Sequence, residues 1–419
     1  MRVSGTVRVP GDKSISHRAL MFAALADGPS RIRHVLDSAD VRSTAGVLRA
    51  LGAEIPPLSA EFVVQGRGPT SLHAIGQELD CGNSGTTTRL MAGVVAARPG
   101  RARFVGDASL SRRPMQRIAK PLAAMGARFE FERGDGLPMV VHGGALHDAD
   151  WTSAAASAQV KSAILLAALV GGVSAVVREP ARSRDHTERM LAARGARVRV
   201  DGTTVSLTAG GPLAPLDTAV PADPSSAAFI AGLAAIADEG EVVLTDVCVN
   251  PTRRGFIDLL AEMGVRVAFE DERDEGGEPV ATIRVAPGAL RAACVTAERV
   301  PSLIDELPLL ACIASLAEGE TVISGAEELR VKESDRISAV VHNLRAIGVD
   351  AEERPDGMRV RGARRALRGR VATHGDHRLA MAFGVLGQRP GNEIEIDDPA
   401  CVDVSYPSFW RDLARVTGR

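Results

Sequence analysis

Along the chain, an apolar stretch of helical length repeatedly ends at a glycine and gives way to a short strand-like run. These glycines fall at Gly28, Gly100, Gly172, Gly240, Gly319 and Gly391, at intervals of 72, 72, 68, 79 and 72 residues. A second series, close to the form Leu-x-x-x-Gly, falls at Gly52, Gly126, Gly195, Gly264, Gly348 and Gly418, at intervals of 74, 69, 69, 84 and 70. Glycine suits a helix end because the chain turns left-handed there. Two interleaved series of six predict a compact unit of two helices and several strands, copied six times; the period is too long for the common solenoids. The sixth copy stops at Gly418, so its following strand is missing, and the alternating residues Arg2–Val9 are expected to supply it. That draws the N-terminus into the C-terminal half. The expected division is two lobes of three units each, residues 13–222 in one and residues 1–12 with 223–419 in the other. Crossings are placed near 10–13 and 220–224, where Pro10-Gly11 and Pro221-Ala222-Asp223-Pro224 interrupt the pattern. A cleft between such lobes is the expected ligand site.

Composition narrows the partners. Apolar residues at 45% and charged residues at 24% fit a soluble globular protein with a proper core. A net charge of −2 and only 3% aromatics argue against nucleic acid or an anionic membrane as partner. The opening MRVSGTVRVP lacks the apolar run of a signal peptide, and the longest apolar stretch, Ala163–Val177, is broken by Gly171-Gly172. Five scattered cysteines show no Cys-x-x-Cys pair and no His/Cys cluster at metal spacing, which fits reduced thiols in a cytoplasmic protein. Of the 50 lysines and arginines only Lys13, Lys120, Lys161 and Lys332 are lysines. An ammonium is compact and can lose its proton in a tuned site, so either these four positions need that chemistry or they survive by chance.

Several motifs open apolar helices. In PGDKSISHR, residues 10–18, Ser14 and Ser16 are candidate N-caps, and Lys13, Ser14 and Arg18 can meet an anion beside free helix N–H groups. Asp12 between glycine and lysine rules out a Walker loop. GNSGTTTR, residues 82–89, offers glycines, hydroxyls and exposed N–H groups. GDASLSRRPMQRIAKPL, residues 106–122, concentrates Arg112, Arg113, Arg117 and Lys120, of which Arg112 and Arg117 also fit a solvated face. SAQVKSA at 157–163 and RSRDHTERM at 182–190 follow, then LIDEL at 303–307, RVKESDR at 330–336 and HGDHR at 374–378. Asp305, Glu306 and Glu333 can exchange protons if cations hold them near a substrate, or can serve as helix caps. Lys332, Glu333 and Arg336 are expected within one helical turn. Cations in both halves and acids mainly in the second suit substrates with several negative charges and a proton-transfer reaction.

The motifs PGDKSISHR, GNSGTTTR, GDASLSRRP, SAQVKSA, RVKESDR and GDHRLAMAF, in order from about residue 3 to residue 410, resemble those of the 5-enolpyruvylshikimate-3-phosphate synthases. SAQVKSA, RSRDHTERM and EELRVKESDR are similar to the class II bacterial branch. The resemblance implies an α/β fold: a two-lobed inverse α/β barrel of six βαβαββ repeats, three per domain. It implies that shikimate 3-phosphate is held by Lys13, Ser14, Arg18, Ser157, Ala158, Gln159, Arg184, Asp305 and Lys332. Phosphoenolpyruvate falls to Lys13, Gly85, Arg113, Gln159, Arg336 and Arg378. The chemistry implied is addition followed by elimination, with Asp305 taking the proton of the 5-hydroxyl and Glu333, partnered by Lys13, delivering one to C3. Both carboxylates then need environments that separate their pKa values. Lobe closure that excludes water is the expected gate. No metal or organic cofactor is implied, the only partners are the small-molecule substrates, and the state implied is a monomer.

Some positions depart from the class I pattern. Val404 stands in place of a lysine that contacts phosphoenolpyruvate, Ala158 and Glu328 replace a serine and an asparagine, and Leu90 replaces a proline. Gly85 leaves the room that glyphosate occupies in sensitive relatives, so partial sensitivity is expected, weakened by Leu90. The sister enzyme acting on UDP-N-acetylglucosamine carries Lys-Asn at the first motif and a loop cysteine; here Lys13-Ser14 and the cysteine-free segment 106–120 disfavour it. A non-catalytic phosphometabolite-binding protein is disfavoured by Asp305, Glu333 and the full set of cations, and an RNA-end-processing relative by balanced charge.

Overall fold

The computed structural model describes residues 1–211, 213–362 and 365–418. All twelve glycines of the two series adopt positive φ, between +67° and +127°. At two equivalent positions the reason is a close approach as well as a turn. A Cβ on Gly100 would lie 2.0 Å from the Ala74 carbonyl oxygen, and one on Gly240 would lie 1.9 Å from that of Val3. Only hydrogen can occupy that space where a parallel strand begins.

The repeat is plainest in residues 74–143. Strand Ala74–Asp80, helix Gly85–Ala96, strand Gly100–Val105, helix Gln116–Ala124 and strands Arg128–Phe131 and Met139–Gly143 form one βαβαββ unit. Its first two strands run parallel, and the sheet order is first, second, fourth, third. The same order recurs from Ala149–Thr152 to Thr204–Leu207 and from Cys294–Val295 to Gly357–Arg361. Two repeats borrow their first strand from elsewhere in the chain. The first uses Thr218–Ala219 beside Asp27–Arg33, and the fourth uses Arg2–Val7 beside Glu239–Cys248, both parallel. The N-terminal strand thus pairs with a strand of the C-terminal half, and it completes the fourth repeat and not the sixth. The sixth keeps a two-stranded sheet, Arg368–Val371 with Glu393–Ile396. Its last helix, Phe409–Thr417, instead reaches the N-terminal strand through Arg415, which donates to the Thr6 carbonyl at 3.1 Å.

Two compact units result, one of Met1–Pro10, Ala222–Arg273 and Pro279–Arg419, the other of Gly11–Pro221 with the short segment Asp274–Glu278. Glu278 groups with the latter because its carboxylate meets His186 Nδ1 at 2.8 Å, while Glu275 accepts from the Ala219 N–H at 2.7 Å. Within each repeat the first helix is mostly buried, and all twelve residues of Pro224–Ala235 are. The second helix is amphipathic, and four of the nine residues of Phe409–Thr417 are buried.

Small residues let the buried helices touch. In the Gly11–Pro221 unit a Cβ on Gly93, within Gly85–Ala96, would stand 2.2 Å from the Ala163 carbonyl oxygen of helix Ala158–Gly171. Gly93→Ala must therefore separate two backbones and is expected to cost about 1–3 kcal/mol, the usual range for overpacking. Thermal unfolding checks this; an unchanged Tm refutes the contact.

Candidate active site

In the Gly11–Pro221 unit, three motifs stand at the N-terminal ends of buried helices, where backbone N–H groups lack partners within the helix. The first helix, Lys13–Leu25, is capped by Asp12 and not by Ser14 or Ser16. Asp12 has extended backbone, φ −57° and ψ 126°, and its carboxylate accepts from the Ile15 N–H at 2.8 Å. The two serines lie inside the helix, beyond the position from which a side chain can cap. Ser16 Oγ instead accepts from the Leu36 N–H at 2.9 Å. Lys13 Nζ lies 3.1 Å from Asp40 Oδ2. Burial pushes the Asp40 carboxyl up, but Lys13 and its neighbours outweigh burial and hold it below its ordinary range.

Helix Gly85–Ala96 is capped by Ser84, whose hydroxyl accepts from the Thr87 N–H at 3.1 Å. A Cβ on Gly85 would meet Arg89 Nη1 at 3.0 Å and Arg113 Nη1 at 3.5 Å, so two guanidinium groups border the space the glycine leaves. Arg89 Nη1 donates to Gln159 Oε1 at 2.6 Å, and Gln159 Nε2 donates to Thr86 Oγ1 at 3.1 Å. Arg113 donates to Asn83 Oδ1 at 2.6 Å, and Asn83 donates in turn to Asp107 at 2.6 Å. Gly85 and Arg113 thus lie close together, and Arg89 links Gly85 to Gln159. Arg89 and Asn83, which hold Gln159 and Arg113, were passed over although both stand in GNSGTTTR. For Arg89 the signal is spacing: it follows Gly85 by one helical turn and lies on the same face.

Ser157 caps helix Ala158–Gly171, and its own N–H donates to Glu179 Oε1 at 2.8 Å. Ala158 and Gln159 are the first two helical residues. Arg18 is buried and donates to Thr187 Oγ1 at 2.7 Å, Ser162 Oγ at 2.9 Å and the Ser14 carbonyl at 3.0 Å. Burial pushes Arg18 down to about 10, and the like charge of Arg184 works in the same direction against the nearby carboxylates. Two cations that repel each other are a place for an anion. Among the lysines, Lys120 is exposed, whereas Lys161 is sealed between Glu179 and Glu188.

In the other unit, Arg336 is the hub. It opens helix Arg336–Ala346, its side chain is 1% exposed, and it reaches three carboxylates. Its Nε donates to Asp376 at 2.8 Å, Nη2 to Glu333 at 2.8 Å, and Nη1 to Asp305 at 3.4 Å. Burial pushes the Asp376 carboxyl up, but the Arg336 guanidinium prevails and holds it below its usual range. Asp305 stands in the 3₁₀ turn Ile304–Glu306, with Lys332 Nζ at 3.9 Å and Arg378 Nη2 at 3.8 Å. Arg378 Nη1 donates to the Asp305 carbonyl at 3.1 Å. Asp305 therefore faces three cations, and it is less exposed than Glu333, 12% against 33%. Glu306 is buried, accepts from Ser225, and is pushed up by that burial.

Lys332, Glu333 and Arg336 do not share a helical turn. The 3₁₀ helix Glu327–Val331 ends before Lys332, which is extended, and Asp335 caps a new helix by accepting from the Ser338 N–H at 3.1 Å. All four residues 332–335 thus lie outside any helix, yet ion pairs still bring Lys332, Glu333, Arg336 and Asp305 together. Asp376 was unassigned in HGDHR, although an acid just before an apolar run is a cap signal. It caps helix His377–Gly387 while it anchors Arg336, accepting from the Arg378 N–H at 3.0 Å.

Residues 1–413 match the family model for EPSP synthase (3-phosphoshikimate 1-carboxyvinyltransferase). A relative from Gloeobacter violaceus named 3-phosphoshikimate 1-carboxyvinyltransferase is 49% identical over 418 residues, spanning 99% of this chain and 97% of that protein. One of the same name from Sulfurihydrogenibium is 47% identical over 421 residues, spanning 99% and 98%. A solved structure of EPSP synthase from Acinetobacter baumannii superposes with a TM-score of 0.90 at 40% identity, covering 99% of this chain and 96% of that one.

Proposed function

The chain belongs to the EPSP synthase family, and on that premise we propose how its own residues divide the work of a 3-phosphoshikimate 1-carboxyvinyltransferase. This enzyme of the shikimate pathway moves the enolpyruvyl group of phosphoenolpyruvate to the 5-hydroxyl of shikimate 3-phosphate. Phosphate is the second product.

The observation that carries the assignment is the gathering of Asp305 and Glu333 on the buried guanidinium of Arg336. Asp305 takes the proton from the 5-hydroxyl as that oxygen bonds to C2 of phosphoenolpyruvate. Glu333, with Lys13, gives a proton to C3, so the C2–C3 double bond becomes single and a tetrahedral intermediate forms. The C2–O bond to phosphate then breaks, a proton leaves C3, and the double bond returns. Separate environments let the two acids act in opposite senses. Lys13, Gly85, Arg113, Gln159, Arg336 and Arg378 hold phosphoenolpyruvate, with Arg89 holding Gln159 in place. Ser14, Arg18, Ser157, Ala158, Gln159, Arg184, Asp305 and Lys332 hold shikimate 3-phosphate, Lys13 serving both. The opposing Arg18 and Arg184 charges favour its phosphate.

We assign the working form as a cytoplasmic monomer. No helix among the described residues is long and apolar enough to cross a membrane. The deciding assay is phosphate release from phosphoenolpyruvate with shikimate 3-phosphate or UDP-N-acetylglucosamine as acceptor. Release with shikimate 3-phosphate alone is expected. Release with neither, despite tight binding of shikimate 3-phosphate, would leave a binding protein.

A further inference from the structure

Lys161 has no part in that chemistry, yet it is one of only four lysines in a chain that otherwise uses arginine for its cations. Its ammonium is 2% exposed and lies 2.7 Å from Glu179 Oε2 and 2.7 Å from Glu188 Oε1. The two carboxylates are as buried as the lysine, at 2% and 3%. A compact ammonium can sit between two converging carboxylates, where a planar guanidinium would need more room.

What the carboxylates do next is the informative part. Glu179 Oε1 accepts from the Ser157 N–H at 2.8 Å, and Glu179 Oε2 accepts from Ser183 Oγ at 2.8 Å. Ser157 leads into Ala158 and Gln159, and Ser183 precedes Arg184. One buried carboxylate therefore ties together two stretches of chain whose side chains are assigned to the same substrate. Glu188 follows Thr187, which accepts from Arg18 Nε at 2.7 Å. All three stretches converge on a single ammonium at the second turn of helix Ala158–Gly171.

We propose that Lys161 and Glu179 form a positioning pair that sets Ser157–Gln159 and Arg184 in register for shikimate 3-phosphate, a role resting on the function proposed above. Neither residue touches the substrate. Glu179 fixes the backbone at Ser157 and the loop at Ser183, and Lys161, 2.7 Å from Glu179 Oε2, holds that carboxylate in its one orientation.

Steady-state kinetics on the full-length protein test this, with wild-type turnover as the reference. If the wild type releases no phosphate with shikimate 3-phosphate, the functional reading fails. If it does turn over, Glu179→Gln isolates the present proposal. The variant keeps its size and leaves Lys161 paired with Glu188. It is expected to raise the KM for shikimate 3-phosphate about tenfold or more, as misplacement of binding groups does. The KM for phosphoenolpyruvate at saturating shikimate 3-phosphate should stay within about twofold, since Gln159 is its one assigned ligand on these stretches and is also held by Arg89 and Thr86. A merely structural role would lower Tm and leave both constants alone; that result, or an equal rise in both, overturns the proposal. Should Glu179→Gln fail to fold, Ser183→Ala removes one donor to the same carboxylate. A rise of about threefold in the KM for shikimate 3-phosphate alone, the size of one lost hydrogen bond, supports the pair, and an unchanged KM overturns it.

Discussion

Asp305→Asn is expected to lower kcat by about 10²–10⁴-fold, the span that a positioned general base contributes. Asparagine keeps the size of the side chain and cannot accept the proton of the 5-hydroxyl. The three cations that face Asp305, with Arg336 Nη1 nearest at 3.4 Å, stay in place but lose one balancing charge. Arg336 keeps Asp376 and Glu333, so the hub should survive. The surplus positive charge should not weaken the binding of an anionic substrate. The expected signature is a collapse of kcat without a rise in the KM for phosphoenolpyruvate and without a fall in Tm. Rapid-quench phosphate release measures the chemical step directly. A kcat within tenfold of wild type would move the base to another group, Glu333 first.

The second large effect is on stability. Lys161→Met should destabilise the protein by about 3–5 kcal/mol, because removing one member of a buried ionic cluster strands the others. Here two carboxylates are stranded together, both within 2.7 Å of the lost ammonium. The titration of Glu188 supplies a second signature. Burial already pushes Glu188 up in the native protein, with Lys161 opposing. Without Lys161 the shift must grow. An acid whose pKa is raised on folding binds its proton more tightly in the folded state, so lowering the pH favours folding. The deficit of the variant should therefore shrink as the pH falls, and adding Glu188→Gln should recover part of it. Urea unfolding at several pH values measures both; a loss below about 1 kcal/mol would mean that the carboxylates reach water.

The architecture was written in the glycines. Both series mark positions where the backbone goes left-handed, a constraint that acts within a few residues and so leaves a periodic trace. The owner of the N-terminal strand was not legible, because Arg2–Val7 pairs with Glu239–Leu244 through backbone groups that any alternating strand offers. Motif residues at helix starts were legible for the same local reason as the glycines, with Asp12 the exception, since Ser14 and Ser16 competed for the cap by residue type alone. Arg89, Glu179 and Asp376 were missed because their partners are distant in sequence: Arg89 bonds Gln159, Glu179 bonds Ser157, and Asp376 bonds Arg336. Such partners are chosen by the tertiary fold, and an isolated acid or arginine carries no mark of them.

The borrowed first strand also sets an order of events during synthesis. Met1 ends beside Asp238, 237 residues away. At ribosomal rates the opening strand must therefore wait on the order of tens of seconds for its neighbour to exist. Meanwhile residues 11–221 can emerge together, the first strand of their unit, Thr218–Ala219, arriving at the far end and only Asp274–Glu278 still to come. Through that interval Arg2–Val7 is an unpaired strand looking for an edge, the kind of segment that recruits other chains. Its sequence is guarded against this: Arg2, Ser4, Gly5 and Thr6 leave only Val3 and Val7 as buried apolar positions, too few for a stable pairing of its own. The N-terminus is in this sense a clasp closed late, and a nascent chain stalled before residue 239 would hold one unit lacking only Asp274–Glu278 and one open thread.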